Sequence, residues 1–256
     1  MNKPVLKVDW ATHEAAKYAC DNWHYSNSVP VPPLVKIGVW EHGKYIGVVL
    51  FSRGANNNLL KPFGLLQTEG CELTRIALTS HLSAVSRVVK IAIAFLKQNS
   101  PFLRLIVSFA DPSHGHHGGI YQAGNWIYTG KQPPTVEYLA PDGKQWHGRM
   151  VSKDGKKKVQ GVYRKCWRYD QCTAVNRQGK HRYLMPLDDE MRKRIAPLAQ
   201  PYPKRVKKQD SECPSELGGA VPTDTLQNAA VNPDEWPQNL PTALTHSGAL
   251  PALAAP

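Results

Sequence analysis

Two apolar runs separated by one amphipathic stretch constrain the fold of this chain more than anything else in it. Residues 71–78 read CELTRIAL and residues 103–111 read LRLIVSFAD, the second nearly continuous in apolar side chains, as in a strand buried on both faces. Between them, residues 83–99 (SAVSRVVKIAIAFLKQN) put Val85, Val88, Val89, Ala92, Ile93 and Leu96 on one face of a helix, with Ser83 as its N-cap. Strand, helix and strand in this order predict two parallel strands. They deliver Arg75 and Asp111 to one sheet edge, the edge where open α/β sheets place ligands.

Around this unit the remaining elements can be placed. Residues 9–21 (DWATHEAAKYACD) carry a short helical period, and the proline-rich NWHYSNSVPVPP that follows puts His24, Tyr25 and Ser26 on a loop. VKIGVWEHGKYIGVVLFSRG reads as a hairpin turning at Glu-His-Gly-Lys. After the loop DPSHGHHGG, IYQAGNWIYTG reads as a short helix breaking into a strand. The expected fold is α/β (α+β), a mixed sheet with helices on both faces, plus a basic C-terminal extension.

Charge separates the chain into regions. Residues 209–256 hold six acids and no Lys or Arg; setting that −6 aside from the formal +12 of the whole chain leaves +18 on residues 1–208. A field of that size attracts polyanions, nucleic acid first. From 133 to 208 the chain becomes short, basic and interleaved with aromatics, as in KKKVQGVYRKCWRYD. Basic side chains there can contact phosphates, while Tyr163, Trp167, Tyr169 and Tyr183 can stack on exposed bases; a solvated basic tail is the plainer alternative. The organisation expected is a catalytic core at 1–132, a DNA-binding extension at 133–208 packed on it, and a disordered acidic tail at 209–256.

Other classes are disfavoured. The sequence has no run of about 18 or more apolar residues, and MNKPVLKVDW has no apolar signal core, so a cytoplasmic protein without a membrane span is expected. Five cysteines without metal-ligand spacing read as buried or incidental thiols. Three histidines within four residues (His114, His116, His117) cannot easily all face one ion, and read as solvent-exposed or phosphate-contacting.

The hairpin, ELTR strand, helix, SFAD strand and NWIYTGK strand together resemble the GNAT acyltransferase plan. That resemblance implies acetyl-CoA or a related acyl donor at the helix N-terminus. The turn there reads TSHLSAVS, without the family's glycines, so a phosphate would rely on the N–H groups of Ser83, Ala84 and Val85, with Ser86, Arg87 and Lys90 along the helix facing the donor. HYS, ELTR, a Ser-x-x-Ser-Arg helix, SFAD, IYQA, W-x-Y-x-G, KHRY and PYPKR, in order over roughly residues 20–208, more closely resemble the phage Mom family. Its members are GNAT-like and modify adenine N6 in phage DNA, protecting it from restriction.

With that resemblance, Tyr25, Arg75, Asp111 and Tyr121 become the expected catalytic residues. Arg75 would hold an anionic donor or orient Asp111, although an ion pair to Glu72 or Asp111 serves equally on sequence alone. Asp111 would accept a hydrogen bond from N6 or act late as a base, although Asp before Pro is also an ordinary turn cap. Tyr121 would be a general acid, with helix packing as the alternative. His24, Tyr25 and Asp111 form the candidate iron set, and Tyr121 is an alternative member. Substrate contacts are assigned to His24, Ser26, Ser108, Asn125, Tyr163, Arg164, Lys165, Trp167 and Arg168. The reading is a phage-type enzyme that makes N6-carbamoylmethyl (methylcarbamoyl) adenine in double-stranded DNA in the host-cell cytoplasm. Its rivals are an acyl-CoA N-acetyltransferase and a non-catalytic DNA-binding protein. Oligomeric state is left open, a homodimer among the options.

Overall fold

The computed structural model describes residues 4–204, apart from residues 55 and 160. The expected acidic tail, Cys213 and the final arginine of PYPKR lie outside the described residues. In chain order the elements are β1 (Leu6–Trp10), α1 (His13–Trp23), β2 (Leu34–Glu41), β3 (Lys44–Ser52), β4 (Gly70–Leu78), α2 (Val85–Asn99), β5 (Leu105–Ala110), α3 (Gly119–Ala123) and β6 (Ile127–Lys131). There follow β7 (Thr135–Leu139), β8 (Gln145–His147), β9 (Val151–Ser152), β10 (Lys156–Val159), β11 (Val162–Lys165), β12 (Trp167–Arg168), β13 (Thr173–Arg177), β14 (His181–Pro186) and α4 (Asp189–Ile195).

Seven strands form one mixed sheet in the order β1-β2-β3-β4-β5-β14-β6, with β4 and β5 parallel as expected. Strand alternation divides the apolar side chains between two faces. Val49, Phe51 and Ile106 meet the α2 stripe and Tyr121 of α3 on one face. On the other, Val48, Leu50 and Ala77 meet Ala16, Ala19 and Cys20 of α1, while Leu105, Val107 and Leu184 meet Met191 and Ile195 of α4. The mixed sheet with helices on both faces expected from sequence is therefore the observed architecture. The β2–β3 turn has His42 (φ 50°) and Gly43 (φ 82°) both left-handed, which matches the twist of the strands it joins.

Two expectations change. The first element is a strand, β1, which pairs with β2 before α1 begins behind its Thr12 cap. The larger correction concerns the boundary at 132/133: β14, from the segment read as an extension, lies inside the sheet and pairs antiparallel with β5 from His181↔Ala110 to Pro186↔Leu105. Tyr183 and Leu184 are fully buried there, on opposite faces. Residues 135–177 make only small sheets, β13-β7-β8, β10-β11 and β12-β9.

Candidate active site

β4 and β5 stay paired only from Gly70↔Leu105 to Leu73↔Ser108, so residues 74–78 have no β5 neighbour and the two strands part. On its other side β4 carries a bulge: Leu50 opposes Arg75 and Phe51 opposes Leu73, with Thr74 the extra residue. The bulge reverses the alternation, so Leu73 points to the α2 face while Arg75, opposite Leu50, points to the α1 face. A cavity of about 640 Å³ occupies the gap. Its walls come from the end of α1 (Trp23 to Tyr25), the bulged half of β4, the end of β5 (Phe109 to Asp111) and the loop and first turn of α3 (Gly115 to Tyr121).

Arg75 Nη1 donates to the Thr74 carbonyl at 2.8 Å, but its Nε is buried without an acceptor. Of the two ion pairs considered from sequence, the one to Asp111 is replaced: Asp111 pairs with Lys180 at 3.3 Å. A buried, unmatched guanidinium N–H is costly, and it belongs to a residue that lines the cavity.

Tyr121 lies deep in the wall, with its phenol oxygen 2.8 Å from Ser108 Oγ, which is itself 2.8 Å from the Leu73 carbonyl. Ser108 has one proton for these two contacts; given to the phenol oxygen, it leaves the phenol's own proton for a group in the cavity. Burial pushes the phenol up to about 12, although the serine hydrogen bond opposes this, so Tyr121 is a protonated donor at neutral pH. Ser108 is thus a positioning residue that holds Tyr121 from behind; it does not line the cavity.

Asp111 also does what Asp before Pro commonly does: it caps the turn at Pro112–His114, accepting from the Ser113 amide at 3.0 Å and from the Ser113 hydroxyl. Burial pushes its carboxyl up, yet the Ser113 hydroxyl and amide, then the Lys180 ammonium, outweigh that and leave it below its ordinary value. The group is an ionised acceptor and a weak base.

His24 and Tyr25 come from the end of α1, with His24 at its C-cap. Tyr25 is 53% exposed and tilts against His24 (centroids 4.2 Å apart) and against His114 (4.3 Å) and His116 (5.5 Å), joining the two loops across the cavity mouth. Burial first, then the positive charge of Arg75, pushes His24 down to about 4, so it is neutral. Its Nδ1 accepts the Ser26 amide at 3.1 Å, which places the ring proton on Nε2. Ser26 orients His24 and does not line the cavity.

This arrangement does not fit the iron set expected from His24, Tyr25 and Asp111. The Ser26 amide on Nδ1 keeps the ring proton on Nε2, the nitrogen a metal would need, and the Lys180 ammonium stands beside Asp111 Oδ2, where a second cation would be repelled. Among the described residues no group of three or more His, Cys, Asp or Glu has metal-binding placement.

The turn before α2 is partly occupied where the pyrophosphate of a CoA-type donor is expected. The buried Glu41 carboxylate, from the end of β2, accepts the Leu82 amide at 2.7 Å and the Ser83 amide at 2.9 Å. The Leu82 amide and then the Ser83 side chain hold its carboxyl below the ordinary range. An anion of the chain itself already takes these two amides, while Val85 of α2 lines the cavity. Ser83 is not the N-cap; Ala84 is, and Ser83 Oγ accepts from Arg87 Nη1 at 3.3 Å while the same nitrogen donates to the Pro4 carbonyl at 2.8 Å. Ser86, Arg87 and Lys90 do not line the cavity. Glu41 escaped sequence reading because it lies about 40 residues from its partners and belongs to no motif.

Asn125 is also displaced from its expected role. It is exposed at φ 57° in the turn between α3 and β6, a left-handed position that asparagine tolerates, and lies outside the cavity lining. Sequence reading missed Gln122, whose Nε2 lies 3.2 Å from the His117 carbonyl, the Tyr183 hydroxyl and the Pro203 carbonyl, tying α3 to β14 and the following segment.

Tyr163, Arg164 and Lys165 lie on β11, which pairs with β10 as Lys156↔Lys165, Lys157↔Arg164 and Lys158↔Tyr163. Lys156, Lys158, Tyr163 and Lys165 share one face and all are exposed, with Lys158 Nζ 6.0 Å from the Tyr163 ring centroid. Like charges directly opposite destabilise a hairpin, a cost that a polyanion across this face would remove. Arg168 is committed to Asp170 through Nε at 2.9 Å, so it is not a free phosphate contact.

The model of the Mom protein family matches residues 5–204. The methylcarbamoylase mom of Escherichia phage Mu is 26% identical over 207 residues, which cover 78% of this chain and 84% of the phage protein. Similar solved structures include a mutant spermidine N-acetyltransferase from Vibrio cholerae (9% identity, TM-score 0.42, covering 74% of this chain and 96% of that one). An N-acyl amino acid synthase from uncultured soil microbes has 9% identity and TM-score 0.41, covering 76% and 97%.

Proposed function

The chain belongs to the Mom protein family, and from that premise we propose that it is a DNA-modifying transferase that places a carbamoylmethyl (methylcarbamoyl) group on adenine N6 in double-stranded DNA. The phage Mu relative bears the name of that activity, and a phage-encoded enzyme of this kind would act in the host cytoplasm. The observation that carries the reading is the buried, unmatched Nε of Arg75 in one cavity with a protonated phenol and an ionised carboxylate.

Adenine N6 is a poor nucleophile because its lone pair is delocalised into the ring, and in duplex DNA it is stacked. The base therefore has to leave the stack, which costs a few kcal/mol that phosphate contacts and stacking must offset. The basic face of the β10–β11 hairpin supplies the former, and Tyr25 with His24 at the cavity mouth supplies an aromatic surface for the latter. Arg75 would hold a carbonyl or anionic oxygen of the donor. As the new N6–carbon bond forms and the bond from that carbon to its leaving group breaks, Tyr121 protonates the departing group. Asp111 orients the N6–H and accepts its proton late, once bond formation has made the nitrogen acidic; that timing suits its lowered pKa.

Nucleoside mass spectrometry on DNA from cells expressing the protein tests this. A heavier deoxyadenosine should appear with the intact chain and be absent with Asp111→Ala or Tyr121→Phe, its added mass that of a carbamoylmethyl group. An added acetyl mass would favour an acyl-CoA enzyme. Unmodified DNA from a protein that binds it tightly would favour a binding protein.

A further inference from the structure

A second cavity, of about 430 Å³, lies outside the active site, among Trp146 of β8, Met150, Lys165 of β11, Cys166, Trp167 of β12 and Gln171. Its chemistry is one-sided. Trp146 Nε1 is a buried N–H with no acceptor, one of two such side-chain atoms among the described residues. The Gln171 carbonyl accepts the Arg168 amide at 3.1 Å, leaving the amide protons of that side chain for an outside acceptor. Lys165 adds a cation at the rim. The remaining wall is two indoles, a thioether and a thiol, so the lining offers flat apolar surface and hydrogen-bond donors with hardly an acceptor.

A ligand that matches this lining is planar, apolar on its faces, rich in acceptors along one edge and next to a negative charge. Peptide side chains combine these poorly; a nucleobase with exocyclic oxygens, on a phosphodiester strand, combines them all. Lys165 supplies the link to a strand. It lines the cavity, and by strand alternation it shares the exposed hairpin face of Lys156, Lys158 and Tyr163. A backbone held along that face runs past the cavity that both tryptophans line.

We propose that this cavity is a nucleobase-binding subsite for an unstacked thymine or guanine of DNA, separate from the active site. The proposal rests on the DNA reading above and deepens it: the extension would hold an extruded base as well as phosphates. The orphaned Trp146 N–H would donate to a base carbonyl, and the Trp167 ring would carry the base.

The test uses the full chain and measures binding of two labelled single strands of equal length by fluorescence anisotropy at fixed salt, one of oligothymidine and one with every base removed. Wild type should prefer oligothymidine. Trp167→Ala should weaken oligothymidine binding by roughly tenfold, as expected for the loss of one stacked base, and leave the abasic strand unaffected. Trp146→Phe keeps an aromatic ring but loses the N–H together with the pyrrole half of the indole; it should weaken oligothymidine binding by about 3- to 10-fold without changing the salt slope. Unchanged abasic binding also shows that the variants are folded. Variants that prefer oligothymidine as strongly as wild type overturn the subsite alone. Wild type that binds neither strand nor duplex overturns the subsite together with the DNA reading.

Discussion

In the main cavity the polar groups of the proposed chemistry are nearly all matched within the chain, whereas the β10–β11 hairpin sets cation against cation on an exposed face. Tyr121 is held by Ser108, and Asp111 by Ser113 and Lys180; Arg75 Nε is the conspicuous exception. On the hairpin, Lys156 faces Lys165 and Lys157 faces Arg164. A site fixed before its substrate arrives has little reorganisation left to do during the reaction, which is what proton transfer and charge stabilisation require. A surface that repels itself is relieved by a polyanion and needs no fixed geometry. The two regions divide chemistry from grip, so a substitution in one should leave the other's property intact.

The sharpest break of that division is Tyr121→Phe. It leaves the ring packing and removes the proton donor, so modification should fall by roughly 10²- to 10⁴-fold. Duplex affinity and its salt dependence should stay at the wild-type level. Parallel loss of DNA affinity, by gel shift across a salt series, would mean that the cavity and the grip are one device.

Next in size is Gly118→Ala, which probes how rigidly the cavity wall is set. Gly118 has φ 84°, and a Cβ there would come within 2.3–2.5 Å of the Tyr183 ring. That ring cannot retreat easily, because Tyr183 is fully buried and donates to the His117 carbonyl at 2.5 Å. Overpacking plus left-handed strain should cost about 2–4 kcal/mol, read as a lower denaturant midpoint with an unchanged slope. A wild-type midpoint would show that the loop and β14 part readily.

The same comparison explains what could be read from sequence. The α2 stripe, the β2–β3 turn and the paths of β4 and β5 follow from side chains near one another in the chain, and periodicity reports such neighbours well. Motif residues Arg75, Asp111 and Tyr121 do line one cavity. What was lost depends on distant pairings. HRYLMP, with two basic residues and a terminal proline, looks like an arm until β5 and β6 are there to flank it. The bulge at Thr74 exists only in register with β3, and Glu41 reaches the α2 turn from another strand. On the hairpin, by contrast, exposure and charge were legible because nothing distant covers them.

A charge reversal on the hairpin sharpens the comparison from the other side. Lys156→Glu replaces a like-charged cross-strand pair with an opposite one, so the hairpin itself should gain a few tenths of a kcal/mol. DNA binding should weaken all the same, and the slope of log affinity against log salt should become shallower by about one, as when one phosphate contact is lost. Catalytic turnover at saturating DNA should not change.

The smallest expected effect returns to the cavity. His24 has its pKa pushed from 6.5 to about 4, by burial first and then by Arg75. In the unfolded chain the ring takes up its proton near 6.5 and in the folded chain only near 4, so between these values the unfolded state binds more protons. The stability that His24 contributes is therefore complete above about pH 6.5, declines as the pH falls toward 4 and is constant below. Arg75→Gln removes the second cause and should raise the His24 pKa partway back, which histidine ring resonances in an NMR titration report directly. An unmoved His24 would mean that burial alone sets its pKa and that the Arg75 charge is not felt across the cavity.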